Sequence, residues 1–242
     1  MKYIFLLWPD RNYSPEQRRS ILLEKCAPEI LKKEVDALSM NIDDQFSTVK
    51  SPAPKWYKGP AIVATISIYI ARPDKQLEDL FLDLFKNYGF KPASYSVEES
   101  IYKDYGDNQH FRKRDWPDGE RSPTIQAVTL LTRPKKFSQE EWIKRWHGNM
   151  SPVSETLQPR ARYSRNVVLA RSENSPNFDG IVDEAWPSPE HITNPYLFYC
   201  ADTPWQLLKN MTKLLKAVMH FHQLHKIQTV TMSEYFLKTG SQ

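Results

Sequence analysis

Glycine is scarce in this chain, with seven residues in 242. It has no G-x-x-x-x-G-K phosphate loop, no G-x-G-x-x-G dinucleotide turn, no G-x-S-x-G nucleophile elbow and no H-E-x-x-H pair. Nucleotide enzymes, elbow-type serine hydrolases and zincins are therefore disfavoured. Cysteine is scarcer still: Cys26 and Cys200 cannot build a disulfide framework, which points to a reducing cytoplasmic location. Long apolar runs are missing as well. "YIFLLW" at 3–8 breaks at Pro9 and Asp10, and no small-residue cleavage site follows, so it reads as a first strand and no membrane partner is expected. Charge of one sign is also lacking, because 33 basic and 29 acidic residues leave only +4. The densest basic run, "FRKRD" at 111–115, reads as a solvated loop, and no nucleic-acid partner is expected.

What is present is a substantial apolar fraction (40%, with 12% aromatic) and an internal repeat. Sliding the chain by 124 residues lays "LLWPDRNYSPE" (6–16) on "LLTRPKKFSQE" (130–140), with Leu6, Leu7, Ser14 and Glu16 on Leu130, Leu131, Ser138 and Glu140. Pro28 then falls on Pro152 and Cys26 on Met150; after a slip of one, Ser39 and Asn41 fall on Ser164 and Asn166. A repeat of this length is a domain duplication. Periodicity predicts strands in the first copy near 3–8, 35–43, 61–70 and 94–103, with helices near 14–30 and 75–87. The second copy repeats this with strands near 125–132, 160–169, 180–186 and 228–237 and helices near 138–157 and 203–220. The expected fold class is α+β: two fused ferredoxin-like (βαββαβ) halves, 1–105 and 122–242, forming an internal pseudo-dimeric α+β barrel. Residues 106–121 read as the linker and 187–202 as an insertion.

A sheet with both helices on one face leaves the other face bare, and two copies can cover these faces by turning them toward each other. In each predicted strand one face is apolar. The other carries small polar or aromatic residues with few lysines, and reads as the wall of a partly polar cavity. That reading points inward Asn41 and Asp43, Ser67 and Tyr69, Ser96 and Glu98, Arg162, Ser164 and Asn166, and Tyr235. The register of "GIVDEAW" is ambiguous, so Asp183 faces the cavity in one reading and Glu184 with Trp186 in the other.

These residues resemble the EthD domain family of the dimeric α+β barrel superfamily. The likeness rests on "FSQEEWIKRWHGNMSPV", "RARYSRNVV", "FDGIVDEAW" and "TVTMSEYFLK". Trp146 and Pro152 fit the family's first helix, Tyr163 and Asn166 its second strand, Asp179 and Gly180 its third, and Glu234 its last. The first copy fits more loosely through Ser14, Glu16, Pro28, Asn41 and Glu99. The resemblance covers nearly the whole chain as two fused domains. It implies a hydrophobic, aromatic or polyketide-like small-molecule substrate held in the barrel, as in cofactor-free polyketide cyclases; the wider superfamily also holds monooxygenases and haem proteins. The family's helix histidine falls on Cys26 and Met150, neither of which shuttles protons as imidazole does. His147, three residues earlier, could take part of that role or point to solvent.

Met150 lies on a core stripe with Trp142, Trp146, Val153 and Leu157, and Cys26 on one with Leu22 and Ile30. His220, His222 and His225, at i, i+2 and i+5, do not converge on one helix face, so no metal site is expected. The acid–base chemistry is expected on the strands. A cavity carboxyl (Asp43, Glu98 or Asp183) would move protons, and Arg162, Tyr69 or Tyr235 would stabilise an enolate oxygen. Asn41, Ser67, Ser96, Ser164, Asn166 and Trp186 would line the substrate. The leading reading is a cofactor-independent cyclase, dehydratase or lyase acting on a hydrophobic carbonyl compound. The alternatives are a non-catalytic binding or chaperone protein for such a molecule, with the polar wall serving recognition only, and a haem- or oxygen-using enzyme; the charged groups could also simply pair with one another as a structural network. The protein would be a monomer with an internal pseudo-dimer, or a homodimer.

Overall fold

The computed structural model describes residues 1–49 and 59–240. In chain order the elements are β1 (Lys2–Pro9), α1 (Pro15–Ser20), α2 (Ala27–Leu31), β2 (Ala37–Ile42), β3 (Ala64–Tyr69), α3 (Lys75–Asn87), β4 (Phe90–Lys103), β5 (Ile125–Leu131), α4 (Gln139–Arg145), α5 (Ser151–Glu155), β6 (Arg162–Arg171), β7 (Gly180–Trp186), α6 (Glu190–Thr193), α7 (Pro195–Phe198), α8 (Pro204–Phe221) and β8 (Gln228–Lys238).

The repeated helix starts are capped by the repeated serines. Ser14 Oγ accepts from the Gln17 backbone N–H (3.2 Å) while Gln17 Oε1 accepts from Ser14 N–H (2.9 Å), and Ser138 Oγ accepts from Glu141 N–H (3.1 Å). A single turn of π-helix then joins α1 to α2 (Ile21–Cys26) and α4 to α5 (Trp146–Met150), closed by Ala27 N–H to Leu22 O and Ser151 N–H to Trp146 O. Each π-turn comes just before the repeated proline. Proline has no N–H to give, and its ring collides with the carbonyl four residues back. The wider turn moves that carbonyl and lets the helix run on through Pro28 and Pro152.

The strands form one closed antiparallel barrel in the order β1-β3-β2-β8-β5-β7-β6-β4. This corrects the expected architecture of two ferredoxin-like α+β halves with facing sheets. There is no gap between two sheets, because strands of the two copies hydrogen-bond directly. β2 pairs with β8 from Ser39↔Phe236 to Ile42↔Ser233, and β4 pairs with β6 from Tyr95↔Arg171 to Lys103↔Tyr163. The physical reason lies in the edges: β4, β6 and β8 are 14, 10 and 11 residues long, and four strands alone would expose long rows of unpaired N–H and C=O groups. Closure pairs them.

Helices cover the outside. Leu22, Cys26, Ile30, Phe81 and Phe85 pack on Phe5, Leu7, Met40 and Ile66. Burial pushes the Cys26 thiol up to about 12, so it is an inert core residue. On the second copy Trp142, Trp146 and Phe221 pack on Tyr163, Val167 and Val182. Inside, the barrel is polarised along its axis. One end is apolar, filled by Ile4, Leu6, Tyr95, Val97, Val128, Leu130, Ile181 and Met232. The other end is polar, and residues 104–124 close over it. There Tyr105 meets Trp116 edge-on (centroids 5.0 Å apart) beside Ala161 and Ala185, while Gly119 and Ser122 N–H groups bond to the Phe236 and Glu234 carbonyls of β8.

Gly180 opens β7 under the two tryptophans of the outer layer. A β-carbon there would lie 2.9 Å from Trp146 Cζ3 and 3.0 Å from Trp142 Cη2, both fully buried rings that cannot swing away. Gly180→Ala should therefore destabilise the protein by roughly 1–3 kcal/mol, read as a lower urea midpoint at unchanged slope. An unchanged midpoint would show that the tryptophan pair is looser than described.

Candidate active site

The polar end of the barrel gathers five charged side chains from strands distant in sequence. Lys2 of β1 donates to Glu99 Oε1 (2.8 Å) of β4 and to Asn166 Oδ1 (2.9 Å) of β6. Glu99 also accepts from the Tyr69 hydroxyl (2.6 Å) and from Ser164 Oγ (2.8 Å). Asp183 of β7 accepts one amide N–H from each copy's asparagine: Asn166 to Oδ2 (3.1 Å) and, across the barrel, Asn41 to Oδ1 (3.2 Å). Nearer the covering segment, Glu234 of β8 accepts from the Tyr105 hydroxyl (2.6 Å) and Ser122 Oγ (2.8 Å). Arg162 sits beside Glu234 (3.7 Å) and donates to Asp104 at the rim (3.1 Å).

Burial and pairing divide the three interior acids. Burial alone would raise the Glu99 carboxyl, but Lys2, the Tyr69 hydroxyl and Arg162 outweigh it and bring it down to about 2. Asp183 is raised, chiefly by burial; Lys2 and Arg162 pull it back only in part, and its direct partners are neutral amides. Glu234 is also raised, again by burial first, with Arg162 opposing. Tyr69 and Tyr105 are pushed up by burial and the adjacent carboxylates and stay protonated. Among the described residues two cations thus face three buried acids, and the surplus carboxyl can hold a proton. This end is not packed solid: Lys2, Ser67 and Asp183 each keep 6% of their surface accessible and Asn41 8%, while Ser39, Tyr69 and Phe236 are half-buried.

The sequence-predicted residues separate into two groups. Asn41, Ser67, Tyr69, Ser164, Asn166, Arg162 and Asp183 come together in the barrel at this end. The others do not. Asp43 follows β2 and pairs with Arg18 of α1 on the outside. Glu98 is exposed and Ser96 lines an outer groove of about 720 Å³, because the inward face of β4 is Tyr95, Val97 and Glu99, one residue out of step with the expected register. β8 is also one out of step: Met232 and Glu234 point in, and Tyr235 points out, donating to Asp44 (2.6 Å) and accepting from Arg19 Nε (3.0 Å). Trp186 stacks on Phe198 of α7 (4.6 Å) outside the barrel. His147 lies against Trp146 and near Arg165 on the outer face of β6; burial and that guanidinium bring it down to about 4. The three C-terminal histidines part company: His220 contacts Arg145, and His222 Nε2 accepts from Thr132 N–H. Among the described residues no group of three His, Cys, Asp or Glu side chains is placed to hold a metal ion.

Missed as site residues were Lys2, Glu99, Tyr105 and Glu234. Glu99 and Glu234 were visible as matches to the resembled family. The alternation misassigns them because its phase along β4 and β8 is one residue off, and each strand carries an extra residue against a partner, Tyr102 of β4 against β6 and Leu237 of β8 against β2. Lys2, one residue from the start, offered no pattern at all.

No family model matches the chain, and no curated protein does. Membership of the EthD family accordingly stays a resemblance. Among solved structures the chain is similar to an anthrone oxidase-like protein (TM-score 0.57, 10% identity, 100% of this chain and 96% of that one). It is also similar to a candidate monooxygenase of Fusobacterium nucleatum subsp. nucleatum (TM-score 0.48, 9% identity, 100% and 94%). At such identities the likeness is one of fold. What fold and site together define is a closed antiparallel β-barrel with a buried acid–base cluster at one end.

Glu99 makes the site acid-sensitive. Its folded pKa lies below the ordinary 4.5, so the stability it contributes is complete above that pH and is lost as pH falls toward about 2. Asp183 and Glu234, raised, work in the opposite direction: their contribution is present at low pH and declines as pH rises. Glu99→Gln should therefore flatten the fall in denaturation free energy between pH 4.5 and 2. The same steep acid limb in wild type and variant would place the sensitivity elsewhere.

Proposed function

We propose that this protein is an enzyme that moves protons next to a carbonyl group of a hydrophobic aromatic or polyketide-derived substrate, with Asp183 as the acid–base residue. The observation that carries this reading is Asp183 itself: a buried carboxyl, raised in pKa, held by two amides from opposite sides of the barrel, and with no cation in contact among the described residues. A carboxyl raised in this way is a stronger base once ionised than an ordinary aspartate, whereas Glu99, paired with Lys2, is lowered.

In the proposed reaction an ionised Asp183 takes the proton from the carbon beside the carbonyl. The C–H electron pair moves into the new C=C bond, and the carbonyl oxygen becomes an enolate. Arg162, which burial disfavours but Glu234 and Asp104 hold charged, supplies the positive field that stabilises that oxygen. The Tyr69 hydroxyl, kept protonated, is the neighbouring donor. In a cyclase the enolate carbon attacks a second carbonyl of the substrate; the protonated Asp183 returns its proton to the new alkoxide, and loss of water completes a ring. The fused chain presents one asymmetric set of groups for this, without needing a second subunit.

The fold likeness to an anthrone oxidase-like protein favours a second outcome for the same enolate. An anthrone is an aromatic ketone with an acidic ring CH₂. Its enolate can reduce dioxygen, so that the CH₂ becomes C=O, one oxygen atom enters the product and the other leaves as water. Both outcomes share the proton abstraction by Asp183.

Anthrone is thus a direct probe. Under argon in D₂O, the wild-type protein should accelerate exchange of the CH₂ protons, followed by NMR. Asp183→Asn should slow this by about 10²–10⁴-fold, the range of general-base effects. Admitting air then distinguishes oxygenation from cyclisation-type chemistry. Tight binding of the ketone with no exchange in the wild type would favour the non-catalytic binding protein and sink this proposal.

A further inference from the structure

Helix α8 carries an apolar stripe that no other described residue covers. Its barrel side is buried through Leu214, Ala217 and Phe221. On the opposite side Trp205, Leu208, Met211, Leu215 and Met219 are 75%, 56%, 41%, 47% and 58% exposed. Their spacing of three, three, four and four residues sets them in one line along the helix. Beside that line runs a second, basic one, made of Lys209, Lys213 and Lys216, and the helix has neither Asp nor Glu of its own. On the adjoining α4, Lys144 and Arg145 border the same groove as His220, with Glu141 paired to Arg145. Single exposed leucines need no explanation, but five large apolar groups in register do.

Charge decides between occupants. A second copy packed on this face by a two-fold axis, helix against antiparallel helix, would set lysine row beside lysine row. An anionic bilayer surface meets both lines at once: the lysines face phosphates and acidic headgroups, the leucines and methionines enter the acyl boundary, and Trp205 lies at the level that indole rings favour. We propose that α8 is a docking helix that lays the barrel on an anionic phospholipid surface. No helix among the described residues is long and apolar enough to cross a membrane, and this proposal needs none to cross. It stands independently of the catalytic reading. If both hold, the barrel would take apolar substrates from the lipid phase.

The test uses the full-length protein with vesicles of phosphatidylcholine alone and of equal parts phosphatidylcholine and phosphatidylserine, read by co-sedimentation and by tryptophan emission. Binding is expected only to the mixed vesicles, with a blue shift that Trp205→Phe removes. Leu208→Glu with Leu215→Glu should abolish binding. Changing Lys209, Lys213 and Lys216 together to Gln should weaken it on the order of a hundredfold, and high salt should weaken it likewise. All three positions are exposed, so circular dichroism and the thermal midpoint should stay as in wild type. Equal binding to both vesicle types, no binding, or binding that survives the double glutamate variant would overturn the proposal. So would a concentration-dependent dimer in sedimentation velocity that the glutamate variant dissolves, which would give this face to a second copy instead.

Discussion

The structure depends on a hydrogen-bonded chain through the middle of the barrel: Lys2 to Glu99 and Asn166, Asn166 to Asp183, and Asp183 to Asn41. It ties β1, β4, β6, β7 and β2 together inside the ring of backbone ladders, and it joins the two copies of the repeat at a point where neither is complete. Removing one member would leave its neighbours buried with an unmet hydrogen bond, which costs more than the bond itself is worth.

The two copies arrive at this chain asymmetrically. The offset of the repeat sets Lys2 on Gln126, so the second copy has no equivalent of the lysine. Asn41 and Asn166 are counterparts, and both reach the same carboxyl. The partner of Ser39 across its strand pair is Ser67, whereas the partner of Ser164 is Asp183. Relative to the first half, the second lacks this cation and carries an additional acid. Arg162 restores one positive charge from the rim. The two halves thus supply one asymmetric site, in which burial raises Asp183 and Lys2 and Arg162 offset that only in part.

Much of this was legible in the chain. The repeat, the serine caps and the strand and helix positions followed from identities and periodicity, and the inward face of β3 and β6 was read correctly because those strands are short or regular where it matters. The overall architecture was misjudged because pattern shows which face is apolar but not whether two sheet edges meet; the closing β2–β8 and β4–β6 ladders are backbone contacts with no side-chain signature. On β4 and β8 a phase error of one residue exchanged Glu98 for Glu99 and Tyr235 for Glu234, since side chains alternate with a period of two. The sulfur residues at 26 and 150 gave the opposite lesson. They mark where a helix widens into a π-turn ahead of a proline, a consequence of backbone chemistry rather than of the site.

The central claim is that burial at the polar end raises a carboxyl group above the ordinary carboxylate range. The direct measurement is a ¹³C NMR pH titration of the side-chain carboxyl carbons in Asp- and Glu-labelled protein, assigned with Asp183→Asn and Glu234→Gln. The account predicts that Asp183, Glu234 or the two as a coupled pair titrate above the ordinary carboxylate range, while Glu99 titrates near the bottom of the accessible scale. Ordinary titration of both Asp183 and Glu234, fully ionised by mildly acidic pH, would contradict it.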